Sequence, residues 1–170
     1  MNPHEGLPYE QSAQIIIRHV ADGMRLAERY QLPTVIKDFI LTHHGRSLTR
    51  YFYVSAQNQH PERETDPAPF TYPGPNPFTL EQAILMMADA VEAASRSLTE
   101  YTEESISTLV ERIVGTQVQE GYFADCPITF LNIQEVKDVL KAKLRTIYHT
   151  RIQYPEMEAQ AKATASTENE

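Results

Sequence analysis

Apolar residues recur at intervals of three and four positions along most of this chain, the spacing that places side chains on one face of an α-helix. The clearest stripe lies in the first helical segment and consists of Ser12, Ile15, Ile16, His19, Val20, Gly23, Met24 and Ala27. The spacing predicts six helices, over about residues 8–30, 33–44, 47–57, 80–98, 102–119 and 132–148. No alternating strand pattern of comparable strength occurs, so we expect an all-α fold.

Residues at the ends of these segments support the predicted boundaries. Pro33 suits the first turn of the second helix, since its missing N–H costs nothing there. Gly45 suits the end of that helix, because glycine readily adopts the left-handed conformation that follows many helices. Thr79, Thr102 and Asn132 are predicted to open or cap the last three helices.

A proline-dense segment, residues 60–78, separates the third and fourth helices. Its six prolines and Gly74 exclude a regular helix. The aromatic residues Phe70, Tyr72 and Phe78 predict that this loop packs against the body of the domain, and the stretch around Tyr72 and Pro75 forms either a pocket wall or a connector. We therefore expect one domain over residues 1–155 with an ordered loop at 60–78, followed by a disordered tail at 156–170.

Composition excludes several classes of function. Fifteen Lys and Arg against 23 Asp and Glu give a net charge of −8, which disfavours binding to nucleic-acid polymers. The single cysteine, Cys126, excludes an internal disulfide and a cysteine-based zinc cluster and fits a reducing, cytoplasmic setting. No stretch approaches the ~20 apolar residues that cross a bilayer, and the first residues lack the features of a secretory signal. We expect this chain to make no membrane contact.

Three of the six histidines lie at or beside predicted apolar faces. His19 is in the middle of the first stripe, and His43 and His44 extend the stripe of the second helix at its exit. Asp89 lies on the predicted apolar face of the fourth helix, together with Leu85, Met86, Ala93 and Arg96. A charge placed there needs a partner or a metal, and neutral imidazole is a common metal ligand. The four residues are candidate metal ligands, although a lone histidine such as His19 can equally be a hydrogen-bonded core residue.

The remaining candidates have simpler interpretations. His4, His60 and His149 lie near chain ends or in loops, where solvated side chains are expected. Arg96 follows Asp89 by two helical turns and either binds a substrate phosphate or forms an ion pair with Asp89 or a surface glutamate.

Several separated stretches resemble one family, the HD-domain phosphohydrolases at the cytoplasmic end of seven-transmembrane bacterial proteins, which are cyclic di-AMP phosphodiesterases. The resemblance covers nearly all of residues 1–155. It is carried by residues 2–5 (NPHE), the run from Ser12 to Val20, residues 38–45 (DFILTHHG), residues 70–77, residues 88–96 (ADAVEAASR) and residues 148–155 (YHTRIQYP).

The resemblance implies a helical bundle of the HD type and a centre of two divalent metals, iron or manganese. It implies that His19, His43 and His44 hold one metal and that Asp89 holds the other. A water activated by the metals would hydrolyse one phosphodiester of cyclic di-AMP and give the linear product. The family is anchored in the membrane, which places this domain at the cytoplasmic face.

The chain departs from the family at the residues that give the family its name. No His-Asp dipeptide occurs in this sequence, and Arg46 follows the His-His-Gly motif where the family commonly has threonine. We therefore expect a C-terminal portion of the domain that lacks the N-terminal helices, holds one metal weakly and is inactive alone. Loss of packing partners predicts exposed apolar faces and self-association. The alternative function is a noncatalytic helical module that binds a nucleotide or a partner.

Overall fold

A computed structural model describes residues 6–149, so His4 and the predicted tail at 156–170 lie outside the described residues. The described part contains six α-helices: α1 (Tyr9–Arg29), α2 (Thr34–Thr42), α3 (Arg50–Gln59), α4 (Leu80–Ser95), α5 (Glu103–Gln119) and α6 (Phe130–His149). A 3₁₀ turn, Ala68–Phe70, interrupts the proline-rich loop. Within these residues the β-structure is limited to one isolated bridge, between Leu48 and Thr71. The all-α prediction is confirmed.

Helices α4, α5 and α6 enclose the hydrophobic core. Its fully buried side chains include Met86, Met87, Val91, Ile106, Val110 and Val114, with Ile133 and Leu144 contributed by α6. Burial of each such side chain contributes about 1.5–3 kcal/mol, so this half of the domain holds most of the apolar stabilisation. None of the helices in residues 6–149 combines the length and the apolar character needed to cross a membrane.

The predicted face of α4 is wrong in detail. Ala83, Met86, Met87 and Val91 form the buried face, whereas Arg96 and its neighbours at 85 and 93 are exposed. The sequence of α4 is apolar on almost every side, so spacing alone cannot select the face that meets α5. As a result the Asp89 side of α4 turns away from the core, toward α2.

Helices α1 and α2 pack closely against each other, and α2 also contacts α4. A Cβ atom at Gly23 in α1 would lie 3.1 Å from Cγ2 of Ile40 in α2, so the glycine permits the close approach of the two helices. The buried residues of α1 are small, namely Ser12, Ala13, Val20 and Ala27. Larger apolar side chains of both helices remain exposed: Ile15, Leu26, Val35 and Ile36.

The proline-rich loop is attached to the segment between α2 and α3. The Thr49 N–H donates to the carbonyl of Phe70 at 2.8 Å, and the Tyr72 N–H donates to the carbonyl of Ser47 at 2.9 Å. These bonds explain why α3 begins at Arg50 and not at residue 47 as predicted. Phe70 and Tyr72 are buried, at 3% and 6% exposure, so the loop covers the body of the domain with its aromatic side chains.

Two helix starts differ in how well the sequence predicted them. Thr79 caps α4 in a reciprocal arrangement with Gln82, as expected of a threonine followed by glutamine three residues later. For α6 the predicted cap, Asn132, is wrong. The Thr129 hydroxyl accepts from the Asn132 N–H at 3.1 Å, while the Asn132 side chain accepts from the Thr129 N–H at 3.1 Å. Asn132 therefore fills the reciprocal position inside the helix, where glutamate or glutamine is more usual.

The turn after α2 depends on Gly45. Its φ of +53° lies in the left-handed region, and a Cβ atom there would lie 2.7 Å from Oδ1 of Asn76. That oxygen accepts from the Arg46 N–H at 2.9 Å, which ties the turn to the end of the proline-rich loop. Both the backbone conformation and the available space therefore require glycine at this position.

We predict that Gly45→Ala lowers the free energy of unfolding by more than about 1 kcal/mol, because the left-handed conformation is unfavourable for alanine and its Cβ atom would displace Asn76. The measurement is urea unfolding followed by circular dichroism. Gly115→Ala is the matched control, since its Cβ would meet nothing within 4 Å in helix α5. The free energy of unfolding of Gly115→Ala should rise by up to about 1 kcal/mol. Unchanged stability of Gly45→Ala would contradict the account of this turn.

Candidate metal centre

Three helices bring the four predicted ligands together. His19 comes from the middle of α1, His43 and His44 from the end of α2, and Asp89 from α4. The three histidines each offer a ring nitrogen within 4.8 Å of the others, an arrangement that could hold a metal ion. Asp89 lies beside this group, with Oδ2 3.5 Å from Nδ1 of His44. The structure thus brings together all four residues that the sequence indicates as ligands.

Backbone carbonyls orient two of the imidazoles. His19 Nδ1 bonds the carbonyl of Ile16, and His43 Nδ1 bonds the carbonyl of Ile40 at 2.8 Å. A carbonyl only accepts, so Nδ1 carries the proton in each neutral ring and Nε2 presents a lone pair. The two Nε2 atoms lie 3.1 Å apart.

That separation suits a shared cation. Two lone pairs facing each other repel unless a positive charge lies between them. Ligand atoms that bind one metal at about 2.1 Å, with angles between a right angle and a tetrahedral one, lie about 3.0–3.4 Å apart. The position at the end of α2 adds to this preference, since the C-terminus of a helix carries partial negative charge. Imidazole nitrogens with a carboxylate oxygen are a donor set that suits iron and manganese.

His44 differs from the other two imidazoles in its surroundings. Burial, together with the neighbouring His43 and His19, lowers the pKa of His44 from 6.5 to about 3. The ring therefore stays neutral at ordinary pH, which is the form that binds metals. Its ring is stacked on Tyr72, with centroids 4.2 Å apart and planes 22° apart.

Asp89 is half-exposed and not enclosed in the core. Burial raises the pKa of its carboxyl group, Glu92 raises it further, and His43 opposes the shift. Asp89 in turn contributes, after burial, to raising the pKa of Tyr72 to about 12. Asp89 is therefore not the buried charge that the sequence pattern indicates, although it lies next to the histidine group, with Oδ2 3.5 Å from Nδ1 of His44.

Arg96 and His60 lie apart from the histidine group. Arg96 is exposed and donates to the Glu92 carboxylate through Nε and Nη2, with Nη2 2.9 Å from Oε1. This is the surface-glutamate alternative of the sequence interpretation, and contact with a substrate phosphate stays a prediction. His60 is exposed and lies 3.3 Å from Glu62, as expected for a solvated side chain. His149 ends α6, and its side chain is outside the described structure.

Sequence reasoning did not identify the parts of the site that orient the ligands. The carbonyls of Ile16 and Ile40 leave no compositional signal, although a histidine in a helix commonly reaches the carbonyl three residues before it. The sequence places Tyr72 in a loop that forms either the wall of a pocket or a connector between helices. In the structure its ring lies against His44, so the loop forms a wall of the site.

Known proteins resemble this chain in sequence and in structure. The cyclic-di-AMP phosphodiesterases PgpH of Listeria monocytogenes and Bacillus subtilis are 41% and 38% identical over 92% and 95% of the chain. The chain spans about a fifth of the length of these curated relatives, 21% and 22%. The crystal structure of the L. monocytogenes PgpH HD domain in complex with cyclic-di-AMP superimposes with a TM-score of 0.81 at 39% identity, covering 87% of this chain and 68% of that one. No protein-family model matches the chain.

We predict that His19→Ala and His43→Ala each weaken the binding of Co²⁺ or Mn²⁺. The loss of affinity should exceed the loss of about 10–100-fold that is typical when a residue that only orients a metal ligand is removed. Each variant removes one of the facing nitrogens that the backbone pre-orients. Equilibrium dialysis with elemental analysis measures the affinity. His60→Ala, an exposed histidine away from the group, is the control and should bind as the unmodified chain does. Equal metal content in all variants would exclude these histidines as ligands.

Proposed function

This chain belongs to the family of the PgpH HD domains, and we propose that it supplies the histidine-rich part of a metal centre that hydrolyses cyclic di-AMP. The single observation that carries the proposal is the convergence of His19, His43 and His44 on one point. The name of the relatives, and the ligand in the solved domain, support cyclic di-AMP as the substrate. Hydrolysis adds water across one P–O bond, which leaves a phosphate on one ribose and a hydroxyl on the other.

The proposed cofactors are two divalent metals in the complete domain, iron or manganese, of which this chain holds one at the three histidines. Bound metals supply positive charge that offsets the phosphate and make water a stronger nucleophile at neutral pH. A chain with a net charge of −8 needs such a source of attraction for an anionic substrate.

The residues of this chain have distinct proposed roles. His19 and His43 present Nε2 lone pairs that their backbone carbonyls fix in place. Asp89 offers a carboxylate oxygen next to His44, in the position proposed for the second metal. Arg96 is proposed to bind a substrate phosphate, and in doing so it would exchange the Glu92 carboxylate for a phosphate oxygen.

One observation favours the second candidate, a noncatalytic module that binds a nucleotide or a partner. Among the described residues, Asp89 is the one carboxylate paired with the histidine group, and the sequence contains no His-Asp dipeptide. Two cations about 3.5–4 Å apart need bridging carboxylate ligands, which this set does not supply. Binding without turnover by this chain alone is consistent with that ligand count.

The location follows from weaker signals and is likewise a proposal. One cysteine in 170 residues favours a reducing, cytoplasmic setting. The membrane anchor of the parent protein, as the family resemblance implies it, stays a prediction. So does the expectation of no contact with nucleic-acid polymers.

We expect the purified chain to bind cyclic di-AMP in the presence of Mn²⁺ and to form no linear product. Equilibrium dialysis of the nucleotide with and without Mn²⁺ measures binding, and chromatography of the same samples detects turnover. His43→Ala should lose the Mn²⁺-dependent binding, and His60→Ala should retain it. Absence of Mn²⁺-dependent binding in the unmodified chain would overturn the proposed substrate. Chelator-sensitive turnover would instead exclude the noncatalytic alternative.

The exposed apolar side chains support self-association as a further proposal. Ile15 and Leu26 lie on the same face of α1 as His19, at spacings of four and seven residues, and Val35 and Ile36 lie on α2. All four are at least 41% exposed. Exposed apolar patches around a polar site are typical of surfaces that another polypeptide covers.

We predict that the chain forms dimers or larger species whose proportion rises with concentration, because association buries this apolar surface. Sedimentation velocity over a concentration series is the measurement. Leu26→Glu should shift the equilibrium toward monomer, because it places a charge in the patch. Leu131→Glu, at an exposed position on α6, is the control and should leave the proportion of monomer unchanged. A monodisperse monomer at every concentration would count against self-association.

A further inference from the structure

We propose that Tyr72 is a positioning residue for His44: its ring holds the imidazole plane in the orientation that directs a ring nitrogen toward the metal. The proposal rests on the metal centre proposed above. It assigns a role to one aromatic side chain of the proline-rich loop, which comes from outside the helices that carry the ligands.

The three imidazoles differ in the contacts that hold their rings. The rings of His19 and His43 each bond a backbone carbonyl three residues earlier, which fixes their orientation. Within the described part of the chain, neither ring nitrogen of His44 makes a hydrogen bond. The approach of Nδ1 to Asp89, at 3.5 Å, is too long to fix a ring plane. Some other contact must therefore hold the ring of His44.

The ring of Tyr72 is stacked on the ring of His44. The ring planes of Tyr72 and His44 lie 22° apart with centroids at 4.2 Å, so rotation of the imidazole about χ2 would drive its edge into the tyrosine ring. Tyr72 also contacts His19 edge to face, with centroids 6.0 Å apart. One buried side chain thus touches two of the three candidate ligands.

Tyr72 is itself held firmly. Its N–H donates to the carbonyl of Ser47, and the adjacent Thr71 forms the bridge with Leu48. Its side chain is almost fully buried, at 6% exposure for the residue. A ring whose backbone is hydrogen-bonded to Ser47 and whose side chain is buried can act as a support for His44.

Groups that orient a metal ligand affect affinity without touching the metal. Their loss typically weakens metal binding about 10–100-fold. We expect Tyr72→Leu, which keeps an apolar side chain but removes the ring, to weaken Co²⁺ binding about 10-fold or more. Tyr72→Phe keeps the ring and should bind Co²⁺ within about threefold of the unmodified chain, a smaller change than the loss of about 10–100-fold.

The matched control for loop stability is Phe70→Leu. Phe70 is buried on the same loop, two residues earlier, and its ring packs edge to face on Tyr53. The Phe70→Leu substitution should lower thermal stability, as Tyr72→Leu does, but it should leave the affinity for Co²⁺ unchanged. Cobalt absorption in the visible range reports the geometry of the site. In the metal-free chain, NMR signals of the His44 ring protons report the stack, since a tyrosine ring beneath them shifts them upfield.

The outcomes separate the two levels of the proposal. The expected result is that Tyr72→Leu loses the upfield shift and the Co²⁺ affinity, while Tyr72→Phe and Phe70→Leu keep both. Unchanged affinity in Tyr72→Leu would overturn the positioning role, as would a loss in Tyr72→Phe equal to that in Tyr72→Leu, which would assign the effect to the hydroxyl group. If the unmodified chain bound no Co²⁺, the proposed metal centre would fail. In that case, His44 ring-proton signals without an upfield shift would also overturn the stack. An upfield shift that disappears only in Tyr72→Leu would uphold the role of Tyr72 in orienting the His44 ring.

Discussion

Two imidazole nitrogens that face each other across 3.1 Å, between α1 and α2, set the conditions for the rest of the site. The carbonyls of Ile16 and Ile40 accept hydrogen bonds from Nδ1–H of His19 and His43, so in the neutral rings both Nε2 atoms present lone pairs. Gly23 permits the helix approach that creates this contact, because a side chain there would meet Ile40. The packing of α1 on α2 is therefore arranged around a place that favours a cation, and the other ligands extend from it.

The two halves of the domain contribute differently to stability and to the candidate site. Helices α4 to α6 bury a continuous apolar core, and α1 with α2 leave large apolar side chains exposed beside the histidines. Asp89 joins the halves, since α4 contributes its buried face to the core and its opposite face to the site. A site placed at the edge of a rigid core retains access for a substrate while its ligands keep fixed positions.

The sequence predicted the helices well and identified residues that lie together in the structure, but it predicted helix faces and supporting contacts less well. Residues such as His19 and His43 stood out because they interrupt or extend apolar stripes, a signal that survives without any tertiary information. The face of α4 could not be predicted, because apolar residues surround that helix and tertiary contacts decide which of them are buried. Asn132 was misplaced by one helical turn because it and Thr129 satisfy each other reciprocally. The support from Tyr72 depends on a loop path that no local pattern encodes.

The composition of the ligand set has an electrostatic consequence for the proposed substrate. Neutral imidazoles leave the full double charge of a divalent cation available, whereas every carboxylate ligand cancels one unit of it. The histidine group of this chain has a single carboxylate neighbour among the described residues, so a cation there would keep a net positive charge. On a protein of net charge −8, that local positive field is what would attract the two anionic phosphates of a cyclic dinucleotide. The same shortage of carboxylates that limits a second cation thus favours substrate binding, which is why binding and turnover are expected to separate in this chain.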